Sequence, residues 1–299
     1  MRRVTINWLL TGFIAVLLVS SELAAAAERI ILERKSPYNN IFVSEDTGGL
    51  RILRFERWGA RQTVVKLGDP DHLELPYARV VPVAFVFVEE PTSALVIGLG
   101  GGTIPSFLRK RFPDMRIDAV DIDPGVVDVA KSHFGFREDA KMRAHVADGR
   151  RFVEQTQERY DLVFLDGFGT DSVPPHLTTR EFLQSVRRIL TPRGITIGNL
   201  WAREVNTLYD SMVKTYRSVY DDVLVIDVPA SGNKILIAAP WKFQLSPREM
   251  VMRARQVSSQ HALRNEINEL VEQNVRAPGN DGVAGRLLTD AAAAEPGPR

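Results

Sequence analysis

ALVIGLGGGTIPSFLRK, residues 94–110, carries an apolar run into four glycines within five positions and then turns at once into a helical pattern. Glycine serves two physical ends in such a turn. It accepts positive φ, and it lets another group approach bare backbone with no Cβ in the way. Gly98 and Gly100 fit the first two positions of a dinucleotide fingerprint, G-x-G-x-x-G, but the third is Thr103. The G-K-[ST] of a phosphate-gripping loop is missing as well, which argues against a triphosphate. Both a cofactor turn and a plain strand–helix turn remain open from the loop alone.

Working outward, strand-like runs ALVIGL, RIDAVDI, MRAHVA, YDLVFLD and GITIGNLW alternate with helical segments such as PGVVDVAKSHF and TREFLQSVRRIL. Alternation at this spacing predicts an α/β fold, a Rossmann-like, doubly wound, mostly parallel sheet. DDVLVIDV and KILIAAP, joined by PASGN, predict a closing antiparallel hairpin. Upstream, RIILERK, NNIFVSED, LRILRFE and RQTVVKL predict a small antiparallel β domain, and HLELPYARVVPVAFVF a helix made irregular by Pro76 and Pro82. The expected organisation is therefore a leader at 1–27, a β-hairpin domain at 28–75 and the cofactor domain at 76–245. C-terminal helices at 246–276, capped by Ser246 with Pro247 in the first turn, precede a disordered Ala/Gly/Pro tail at 277–299.

The leader begins MRR, continues into WLLTGFIAVLLVSS and ends in ELAAAAE, the pattern of a signal peptide cleaved near Ala26 or Ala27. Its apolar core falls short of the roughly 20 residues that span a bilayer. Export is the expectation, with an uncleaved inner-membrane anchor as the alternative. The net charge of +1 gives no bulk electrostatic reason to expect nucleic acid as a partner. The absence of cysteine excludes disulfides, thiolate metal sites and a cysteine nucleophile. His133, His145, His176 and His261 show no metal-ligand spacing, and no metal is expected.

Acids end three successive strands beyond the glycines. Asp121 stands where a carboxylate accepts both hydroxyls of a ribose, and Asp148, followed by Gly149, where one accepts from an adenine amino group. Asp166 and Asp171 reach the same rim from the fourth strand, whereas Asp123 reads as a helix cap. Ligands of open parallel sheets bind at that carboxyl edge. A nucleoside without phosphate and with a positive centre, S-adenosylmethionine or a derivative, suits this set.

The segments VIGLGGGTIPSFLRK, VDIDPGVVDVAKSHFG, ADGRRFV, YDLVFLDGFG and LTTREFLQSVRRILTPRGITIGNL resemble the successive motifs of the spermidine synthase family of aminopropyltransferases. SPYNNIFV, ARQTVV and LELPYARVV extend the likeness, which spans roughly residues 36–240, and the family's fold is the one shared with class I methyltransferases. The resemblance implies transfer of an aminopropyl group from decarboxylated S-adenosylmethionine to putrescine or a similar small amine. It also implies a homodimer. It makes Asp166 the catalytic acid, gives Gly98, Gly100, Gly101, Gly102, Asp121, Asp148 and Gly149 to the cofactor, and gives Tyr77, Arg79 and Asp171 to the acceptor.

The departures sit on the acceptor side. Gly101 replaces an acid of the family's G-G-G-D-G-G, the family's D-S-S-D-P becomes Asp166, Gly167, Phe168, Gly169, Thr170 with its second acid gone, and Ala78-Arg79 replaces His-Glu. Arg79 is thereby expected to pair with a carboxylate. His176, in the loop after Asp166, is a further candidate for the acceptor side. Three readings follow: an aminopropyltransferase, a methyltransferase on the same fold, and a non-catalytic nucleoside-binding relative.

Overall fold

The computed structural model describes residues 28–167 and 173–293. The leader at 1–27, Asp171 and the end of the tail lie outside the described residues. Four strands, β1 (Arg29–Lys35), β2 (Asn40–Glu45), β3 (Leu50–Arg54) and β4 (Arg61–Lys66), form an antiparallel meander in that order. Its inner side chains Ile41, Val43, Leu53 and Phe55 pack on Val126, Val129 and Phe134 of the main domain, which is what holds the small sheet in place.

A 3-10 helix at Ala78–Val86 leads into that domain. The expected helix is tightened and shortened there because Pro82 lies within it and cannot donate to the preceding turn. The main sheet comprises β5 (Ser93–Ile97), β6 (Arg116–Asp121), β7 (Met142–Val146), β8 (Tyr160–Leu165), β9 (Leu190–Trp201), β10 (Asp222–Asp227), β11 (Asn233–Ala239) and β12 (Val275–Arg276). Their spatial order is β12-β10-β11-β9-β8-β5-β6-β7. The β5 to β9 strands are parallel, and β11 runs antiparallel between β9 and β10, as the hairpin predicts. Fully buried Leu95, Ile117, Tyr160, Leu162 and Phe164 place the core on both faces of the sheet.

From β5 the chain goes first to β6 on one side and later to β8 on the other, so the strand order reverses between β5 and β8. That reversal opens a crevice at the carboxyl edge. Helices α1 (Thr103–Arg111), α2 (Pro124–His133) and α3 (Gly149–Gln155) each follow one of these strand ends. Ser246 caps the Pro247–Gln260 helix through a capping box with Glu249, as its position predicts.

The tail departs from expectation. Residues 277–293 are not loose but cross the surface on specific anchors. Tyr209 donates to Asp281 at 2.9 Å, Gly282 N to Asp210 at 2.8 Å and Leu288 N to Thr215 at 3.0 Å, and Leu288 is buried. Composition misled here because a few polar anchors and one leucine, rather than an apolar face, hold the segment down.

Candidate active site

A cavity of about 550 Å³ occupies the crevice, walled below by the carboxyl ends of β5, β6, β8 and β9 and above by the N-terminal meander. Its lining includes Tyr77, Gly98, Gly100, Asp121, Asp148, Gly149, Asp166 and Asn199. Ser36 and Asn39, just before β2, donate to the fully buried carboxylate of Asp123, the 2.9 Å Asn39 bond among them. Asp123 also caps α2 through Gly125 N at 2.8 Å. It is thus a cap, as expected, and also the tie between the two sheets.

The glycine turn divides by function. Gly98 has φ +97°, and a Cβ there would run into the Asp166 carbonyl, so this glycine lets β5 and β8 close side by side. Gly100 has φ +52° and also lines the cavity. Asp121 accepts from Leu99 N at 3.0 Å and Asp123 N at 2.9 Å, which fixes the turn and leaves carboxylate lone pairs for a ligand. Burial raises its pKa against those bonds.

Gly101 and Gly102, also expected at the cofactor, sit differently from Gly98 and Gly100. Neither lines the cavity: Gly101 N donates to Thr63 of β4 at 2.9 Å, and a Cβ on Gly101 would meet Thr63 and Phe134 at 2.7–2.8 Å. Gly102, at φ +81°, abuts Phe136. The two glycines shape the turn from behind. Thr103, in the place of the last fingerprint glycine, lines the cavity with a buried hydroxyl that has no hydrogen-bond partner among the described residues.

Asp148 caps α3 by accepting from Arg151 N at 2.9 Å and lies 2.9 Å from His176 Nε2. Burial pulls its pKa up, but these partners win and hold it below the usual range. His176, from the loop after β8, lines the cavity and meets Asp148 there.

Arg79, expected on the acceptor side, lies away from the cavity lining. It is exposed, is not among the residues lining the cavity, donates to the Leu73 carbonyl at 2.7 Å and lies 3.6 Å from Glu74. It follows Tyr77 by two residues on a helical segment, where Tyr77 faces inward and Arg79 cannot share that face. Tyr77 does line the cavity; its hydroxyl donates to the Gln62 carbonyl at 3.4 Å and stands near Asp166.

Asp166, at the end of β8, accepts from Asn199 Nδ2 of β9 at 2.8 Å, with the Tyr77 side chain close by. Burial outweighs the stabilisation that Asn199 and Tyr77 give the carboxylate and pushes its pKa up to about 7. Behind it, Asn233 Nδ2 donates to Asn199 Oδ1 at 2.9 Å, and Ser231 Oγ donates to Asn233 Oδ1 at 2.5 Å. This relay fixes which end of the Asn199 amide faces the carboxyl group. Sequence reading missed Asn199, Asn233 and Ser231, although GNLW and PASGN flag both strand ends. Their roles depend on β11 inserting beside β9, which no local pattern reports.

The geometry offers a shelf of bare backbone, two carboxylates on the β6–β7 side and a buried, near-neutral acid on the β8–β9 side. Asp121, Asp148, Thr103, Gly98 and Gly100 are placed to hold a nucleoside. Asp166 is placed to take a proton from, or orient, a group reacting beside it. Among the described residues no group of three or more metal-ligating side chains comes together.

Comparison with known proteins gives concordant matches. The spermine/spermidine synthase domain model matches residues 77–237. A polyamine aminopropyltransferase of Vibrio vulnificus is 32% identical over 241 residues, covering 78% of this chain and 80% of that one. The structure of a probable spermidine synthase from Corynebacterium glutamicum superposes with a TM-score of 0.74 at 19% identity, over 90% of this chain and all of that one. Human methyltransferase-like protein 13, solved in complex with SAH, gives a TM-score of 0.55 at 31% identity, over 64% of this chain and 92% of that one.

Proposed function

The chain belongs to the spermine/spermidine synthase family, and from that premise we propose that it transfers an aminopropyl group from decarboxylated S-adenosylmethionine to a small amine. The observation that carries the reading is Asp166, an acid with a pKa near 7 at the junction of the nucleoside shelf and the β9 wall. In the reaction the amine lone pair attacks the methylene carbon bonded to the sulfonium. The carbon–sulfur bond breaks, its electron pair stays on sulfur as a neutral thioether, and the nitrogen sheds a proton. Asp166, as carboxylate, takes or relays that proton, while Asn199 holds its Oδ1 in place. Asp121 holds the ribose and Asp148 the adenine edge in this reading. The sulfonium supplies the electrophile, so the protein's work is alignment and deprotonation.

Methyl transfer on the same shelf is the second reading. It is favoured by the turn at Gly101, where an acid side chain has no room between Thr63 and Phe134. Calorimetry with the two cofactors separates them. Tighter binding of decarboxylated S-adenosylmethionine, and an amine product heavier by one aminopropyl group, support the first. Preference for S-adenosylmethionine with a methylated product supports the second and overturns the first.

A further inference from the structure

Resting on the nucleoside shelf of the aminopropyl-transfer reading, we propose that His176 is a positioning residue for the cofactor's base. Acting through Asp148, it makes the site select a 6-aminopurine over a 6-oxopurine. Both side chains line the cavity, and His176 Nε2 lies 2.9 Å from Asp148 Oδ2. Asp148 is held below the usual carboxylate range, so it is ionised and only accepts. The imidazole Nε2 is therefore the donor. The other oxygen, Oδ1, accepts from Arg151 N at 2.9 Å in the first turn of α3. Held at both oxygens, the carboxylate cannot swing about its last torsion, and its remaining lone pairs keep their direction.

The local sequence makes the imidazole a fixed post. Pro174 and Pro175 restrict the backbone ahead of it, and Pro175–Leu177 form a single 3-10 turn. The turn is closed by Leu177 N on the Pro174 carbonyl at 2.9 Å and Thr178 Oγ1 on the Pro175 carbonyl at 2.8 Å. Arg150 Nη1 donates to the His176 carbonyl at 3.3 Å. The pair is partly exposed at the cavity, where a contact between histidine and carboxylate adds little to stability. What it sets is direction. A fixed carboxylate accepts from an exocyclic amino group, but it meets an exocyclic oxygen in the same place lone pair against lone pair.

The test is calorimetry of the purified protein with 5′-methylthioadenosine, the thioether nucleoside that aminopropyl transfer releases, and with its 6-oxo analogue, 5′-methylthioinosine. The unaltered protein is expected to bind the amino form about tenfold or more tightly than the oxo form. His176→Ala is expected to weaken binding of the amino form by about tenfold and to bring the two affinities together, with the melting temperature kept. His176→Gln, which keeps an N–H donor, is expected to restore the preference. A preference that is absent from the unaltered protein, unchanged in His176→Ala, or lost equally in both variants overturns this proposal and leaves aminopropyl transfer standing. Failure of the unaltered protein to bind either nucleoside overturns the shelf, and this inference with it.

Discussion

Asp166 concentrates the chemistry in one side chain whose charge is set by its surroundings. Burial raises its pKa to about 7, and the bond from Asn199 and the nearby Tyr77 hydroxyl limit the rise. Rate is therefore expected to climb through about pH 7 as the carboxylate forms. Asn199→Ala removes a bond that favours the charged form, so the limb moves to higher pH. Asn233→Asp moves it the same way, because an acceptor at 233 turns the Asn199 amide and points its oxygen at Asp166. A pH–rate profile that stays in place in both variants would refute the relay. Stability carries the same signature with a definite sign. The folded pKa lies above the ordinary 3.8, so the fold binds this proton more tightly than the unfolded chain does. Stability contributed by Asp166 is fully present below about pH 4 and is lost as pH rises through about 7. Asp166→Asn should flatten that decline in denaturant titrations across the same window.

At the scale of the element, the glycine turn is where sequence and structure agree most closely and also where they part. The strand-to-helix reversal, the positive φ at Gly98 and the acids at the ends of β6 and β8 were legible because each obeys a local rule of backbone sterics or strand period. The partition of the glycines was not. Whether a Cβ at 101 points to the ligand or to Thr63 depends on the meander laid over the turn, a contact between residues 38 apart in sequence. The direction of Arg79 was hidden for the same reason, since a motif gives a position and not a face. Gly98→Ala is expected to destabilise the protein by about 1–3 kcal/mol, through positive φ and the clash with Asp166, and to displace the acid. Thermal melts and activity should fall together. Unchanged activity in that variant would show that the β5–β8 approach does not set the site.

At the scale of the molecule, the site is assembled from three parts of the chain that have no common local signal. The N-terminal meander roofs it, the parallel sheet supplies the acids, and the C-terminal segment braces the β7 side. Asp290 pairs with both terminal nitrogens of Arg150 at 2.6–2.7 Å, and Arg150 reaches the His176 carbonyl at 3.3 Å. Asp290→Ala is expected to lower stability by no more than about 1 kcal/mol, as for a partly exposed pair. It should raise KM for the nucleoside cofactor with kcat kept, because His176 and Asp148 lose their brace. Steady-state kinetics at varied cofactor concentration separate this from a loss confined to stability. The most direct measurement is release of the thioether nucleoside from decarboxylated S-adenosylmethionine in the presence of an amine, by the unaltered protein and by Asp166→Asn. Amine-dependent release that drops by roughly 10²–10⁴-fold in the variant is the predicted result, and release that is absent, or indifferent to Asp166, would contradict it.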